Sequence, residues 1–152
     1  MIRIVLAAVL AVALLAVSLP AVENAQTDRT DEIVRSDLES LDAAALNLYT
    51  NDELVEGPDA RRIVTVRIPE RSWSAAAVDR VVIHGENETL TYRIDGQPTR
   101  HVPANARLAR PDRGPLVLDA PGEHRLVLRL VEHEGVSVVV VERYEEYVRR
   151  TF

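Results

Sequence analysis

Few side chains in this sequence are equipped for chemistry, and their spacing assembles no reaction centre. There is no cysteine, so no thiol nucleophile, no thiolate ligand and no disulfide. His84, His101, His124 and His133 stand apart, none three or four residues from another as two ligands on one helical turn would be. Glu86 with Glu88, and Glu132 with Glu134, are paired carboxylates, but no surrounding loop supplies the six or more oxygens that calcium takes. A glycine-rich phosphate cradle and a dinucleotide fingerprint are both missing. The sequence therefore carries no expectation of a catalytic residue, a cofactor or a metal ligand, and the chain is not read as an enzyme.

Two groups of residues point to other chemistry. Asn87-Glu88-Thr89 is an N-glycosylation sequon in an expected hairpin turn, so Asn87 is a candidate acceptor if that part of the chain faces outward. Arg100, Arg107, Arg110 and Arg113 punctuate a Pro- and Asn-containing stretch, 97–114, which reads as the candidate ligand or partner loop. All 18 basic residues are arginines, against 24 acids, for a net charge of −6. A nucleic-acid binder needs a basic face to neutralise phosphates, so nucleic acid is not an expected partner.

The elements that would carry these residues begin with Ile4–Val22, a run without one charge. As a helix it rises about 28 Å, close to the hydrocarbon thickness of a bilayer. Arg3 precedes it and Glu23 closes it. A cleavable signal would need small residues at a cutting site, and none stands there cleanly: Leu19-Pro20 follow Ala16-Val17-Ser18. The run reads as a retained anchor with its N-terminus cytoplasmic, following Arg3, and the rest extracytoplasmic. Residues 24–30 are polar, suiting either a hinge or a wet continuation of the helix, and Thr30 before Asp31-Glu32 suits a helix cap. Val34, Leu38, Leu41, Ala45 and Leu48 then recur at spacings of four and three, one apolar stripe that packs on the following domain or pairs with a partner helix.

From Arg61 the period changes to two. Arg62–Ile68, Val78–His84, Thr89–Ile94, Leu116–Leu118, Arg125–Val131 and Val136–Val141 read as strands, with a shorter one near Ala106–Ala109. Val136–Val141 is apolar on both faces and needs cover on both; the 31–50 helix is the candidate for its second face. Trp73, the only tryptophan, reads as an anchor of the core or its rim, with ligand stacking as the other role. The tail from Glu142 suits a last strand or a short helix. The fold class is α+β: an N-terminal transmembrane and amphipathic helix followed by a mainly antiparallel β domain. Residues 1–22 are the anchor or uncleaved signal, 23–56 the juxtamembrane helix and linker, and 57–152 the β-rich extracytoplasmic domain.

An apolar helix, an amphipathic continuation and an antiparallel sheet laid on it resemble type IV pilins and pseudopilins. With Ile63–Val82 and the arginine-only acidic composition, the chain is similar to an uncharacterised family of small membrane-anchored proteins of halophilic archaea. The resemblance implies a pilin-like structural or accessory protein of a cell-surface pilus or secretion apparatus. Its partners would be membrane lipid and either pilus or secretion-system membrane proteins or other pilin-like subunits. It carries no active residues. Only Met1-Ile2-Arg3 precede the apolar run and no glutamate lies within it, so pilin-type processing is not expected. The other reading is a secreted or tethered β-sandwich that binds an envelope component through 97–114.

Overall fold

The computed structural model describes residues 2–51, 61–85, 89–111, 114–133 and 135–151. A single helix, α1 (Ile2–Asn51), takes up the first third of the chain. No glycine interrupts it, and its one proline, Pro20, removes a single backbone donor without ending it. The polar stretch 24–30 contains no helix breaker and continues the helix, so it is not a hinge. Thr30 is therefore not a cap. It sits fully buried inside the helix, and its hydroxyl reaches across to the β domain.

Among the described residues eight strands follow: β1 (Arg61–Ile68), β2 (Val78–His84), β3 (Thr89–Ile94), β4 (Arg100–Pro103), β5 (Leu108–Ala109), β6 (Leu116–Leu118), β7 (Gly122–His133) and β8 (Val136–Arg143). They form two four-stranded sheets, ordered β1-β7-β8-β5 and β4-β3-β2-β6. Every pairing is antiparallel except the short β5–β8 ladder. The tight β7–β8 turn passes through Gly135 at φ 77°, a conformation that costs an L side chain strain. The fold is thus α+β, with a mainly antiparallel β domain behind an N-terminal helix.

Alternation decides which faces meet. Val66 and Ile68 of β1, Leu126 and Leu128 of β7, and Val139 and Val141 of β8 turn inward. They share one core with Val81, Ile83, Leu90, Ile94, Leu116 and Leu118 of the other sheet. The stripe Val34, Leu38, Leu41, Ala45 and Leu48 enters the same core, each residue at most 1% exposed. It is used up within the molecule, which corrects the partner-helix role considered for it: side chains already buried against two sheets have no surface left for a partner. The second face of β7 and β8 has a different cover from the one expected. A C-terminal helix, α2 (Tyr144–Thr151), lies over it, with Arg125 stacked 3.9 Å from the Tyr144 ring and Arg61 donating to the Tyr147 hydroxyl at 2.9 Å.

Candidate functional site

The N-terminal half of α1 is the most unusual surface of the molecule. Ile2, Ile4, Val5, Leu6, Val9, Leu10, Val12, Leu14, Leu15, Val17, Leu19 and Val22 all count among the exposed large hydrophobics. The β domain touches none of this surface; burial begins only at Gln26 and becomes complete at Thr30. A soluble monomer rarely leaves more than a few hundred Å² of contiguous apolar surface in water. At about 1.5–3 kcal/mol for each fully buried side chain, covering this one is worth on the order of 20 kcal/mol. The helix is long and apolar enough to cross a bilayer.

The C-terminal half of the same helix is held by polar contacts on both flanks of its stripe. At 100° per residue, Asp37 lies to one side of the stripe, with Asp31 and Asp42 to the other. Asp37 accepts from the Arg67 backbone N–H at 2.8 Å and from its guanidinium at 3.0 and 2.9 Å. This hydrogen bond, then the carboxylate's charge, raises the Arg67 guanidinium above its ordinary value. On the opposite flank Asp42 accepts from the N–H groups of Asn105 (2.8 Å) and Ala106 (3.1 Å) and from the Asn105 side chain (2.7 Å). Thr30 works both ways against Ala76: its Oγ1 donates to the carbonyl at 3.0 Å and accepts from the N–H at 2.9 Å. The helix is therefore fastened to β1, to the β4–β5 connection and to the loop after β1.

An open groove of about 590 Å³ runs between α1 and β4, lined by Asp31, Arg35, Glu39, Tyr92, Arg100 and His101 among others. Its charges are matched against one another. Arg100 contacts Asp31 at 2.5 Å, and Arg35 donates to Glu39 at 2.8 Å, a hydrogen bond that raises the Arg35 guanidinium above its ordinary value. Tyr92 donates its phenol proton to Asp31. Burial, then that hydrogen bond and the Asp31 charge, push the phenol up to about 12, with Arg100 pulling the other way. A groove whose ions are already paired offers little net charge to a ligand.

The candidate arginines have separate fates. Arg100 is held by Asp31 from the helix, whereas Arg110 donates to the Pro115 carbonyl at 3.1 Å and lies 3.8 Å from Glu146 of α2. Arg107 is exposed, and its carbonyl accepts from Val139 N–H at 2.9 Å. Arg113 and Asn87 lie outside the described residues. The described run 97–111 of the candidate stretch is thus no free loop: it carries β4 and β5 and is pinned by Asp42. His84 shares a hydrogen bond with Thr91 at 3.2 Å, and His124 donates to the Ala120 carbonyl at 2.6 Å. Among the described residues no three His, Asp or Glu side chains gather around a common point.

Two features escaped sequence reasoning. Trp73 belongs neither to the core nor to its rim, being 87% exposed. Glu142, by contrast, is 1% exposed on the outer face of β8, where Arg150 of α2 reaches it at 2.6 Å and Arg129 of β7 at 3.6 Å. The charge-rich tail gave no sign that one of its acids would be enclosed.

Residues 1–144 match a family described as a domain of unknown function, DUF7311. No curated protein and no solved structure matches the chain.

Proposed function

We propose that this chain, which belongs to the DUF7311 family, is a membrane-anchored, pilin-like structural or accessory subunit of a cell-surface pilus or secretion apparatus, and that it is not catalytic. The observation that carries this reading is the division of one uninterrupted helix. Residues 4–22 carry no charge and are exposed on every side, whereas the stripe from Val34 to Leu48 is buried against two sheets. A protein built in this way displays a folded head on a stalk whose lower half has lipid, or the apolar helices of other subunits, as its natural surroundings. Arg67, Tyr92, Arg100 and Asn105 of the head are engaged in holding the helix, which favours an assembly role over chemistry. Arg3 on the short side favours a cytoplasmic N-terminus and an extracytoplasmic head.

Fractionation tests the anchor. The full chain is expected in a carbonate-resistant membrane fraction that needs detergent for release, and deletion of residues 2–22 should move it to the soluble fraction. A full-length chain recovered in solution without detergent overturns the reading. Protease added to intact cells should remove the head, and site-specific crosslinkers placed at Val9 or Leu15 should capture a pilus or secretion-system membrane protein or another pilin-like subunit. Crosslinks to lipid alone would reduce the function to tethering.

A further inference from the structure

Outside the apolar half of α1, the most exposed large hydrophobic side chain among the described residues is Trp73, at 87%. An indole left bare in water is an expensive choice for the only tryptophan of a chain. Its placement accounts for it. Gln26 donates to the Trp73 carbonyl at 2.8 Å, and Thr30, one turn further along the helix, holds Ala76 through both backbone groups. Gln26 lies four residues past Val22, the last residue of the apolar run, a rise of about 6 Å. The loop that carries the indole is therefore fastened to the helix where it leaves the bilayer.

The loop is also firmly joined to the head. Ser72 N–H donates to the Ala75 carbonyl at 2.9 Å, Asp95 N–H to the Ala77 carbonyl at 2.9 Å, and Arg71 pairs with Asp95. This end of the domain collects the finish of β1, the start of β2 and the turn after β3, and it faces back along the helix toward the apolar run. Tryptophan is enriched at that depth in membrane proteins because its apolar ring and single N–H suit the headgroup level.

We infer that Trp73 is a second membrane contact, seated in the headgroup region of the lipid from which α1 emerges. The inference rests on the anchored reading above. Its partner is the bilayer interface itself. Two attachments, the helix and the indole beside it, fix the rotation of the head about the helix axis as well as its height.

The single tryptophan makes the test direct. The full chain is reconstituted into vesicles of phosphatidylcholine with one quarter phosphatidylglycerol, and the vesicles are floated before the emission is read. Floated protein should show blue-shifted emission, weak quenching by aqueous iodide, and stronger quenching by lipids brominated near the headgroup end of the chain than near its methyl end. Floated protein that emits like an indole in water, loses its signal to iodide and ignores brominated lipid overturns the inference while leaving the anchor intact. Quenching that is strongest from bromine at the methyl end also overturns it, since the ring would then lie too deep. A chain that fails to float overturns the anchored reading, and this one with it.

Discussion

Asp42 looks like an ordinary solvated acid in the sequence, yet its carboxylate satisfies two backbone N–H groups and a side-chain amide at the β4–β5 connection. Ala106, one of the donors, is only 2% exposed, so removing the acceptor leaves a buried amide unpaired. Asp42→Ala should cost about 1–3 kcal/mol, read as a lower midpoint in chemical denaturation. Tyr92 gives a pH signature. Its phenol titrates near 10 when unfolded and near 12 when folded, so the fold favours the protonated form. That contribution is complete below pH 10 and is lost as the pH rises toward 12. Wild-type stability should therefore fall across this window, whereas the fall should be shallower in Tyr92→Phe; equal slopes would contradict the assignment. Neither residue could be singled out from sequence. An acid beside an apolar stripe is usually solvated, and only its angle around the helix, together with the strand edges it meets, makes it a staple.

The elements divide according to how strongly their pattern repeats. β1, β3 and β7 are legible because alternation runs through six or more residues, β2 and β8 because they are short runs rich in β-branched residues bounded by turns, and the helical stripe because five apolar positions agree. β4 is not legible: Arg100-His101-Val102-Pro103 offers one buried side chain, Val102, on a four-residue edge strand with a proline at its end. The tail resolves into helix because Tyr144 and Tyr147 fall on one side of a turn and receive Arg125 and Arg129. The two halves of α1 should respond differently to the same deletion. Leu41→Ala should destabilise the head by about 2–5 kcal/mol through a cavity between two sheets, while Leu10→Ala should leave its denaturation midpoint unchanged. Equal losses from the two would mean that the lower half of the helix also packs on the head.

At the scale of the molecule, stability is unevenly spread. The amides of residues 31–48 belong to a helix wedged into the shared core, so in native-state hydrogen exchange they should open only with the strands. Early exchange there, with β7 and β8 still protected, would show the helix to be a separable layer. The general plan, an apolar leader followed by an amphipathic stripe and a sheet domain, was readable from periodicity alone. The absence of any break between leader and stripe was not, because a polar heptapeptide such as Asn24–Thr30 is compatible with both a joint and a helix until the contacts of Gln26 and Thr30 are known.

An uninterrupted α1 also has a mechanical meaning. Fifty residues of helix make a rod of about 75 Å, gripped by protein over its upper part and, on the anchored reading proposed above, by lipid over its lower part. Such a shaft has no universal joint. Any force that leans or twists the apolar segment must swing the head through the same angle, and a pull on the head is felt directly along that segment.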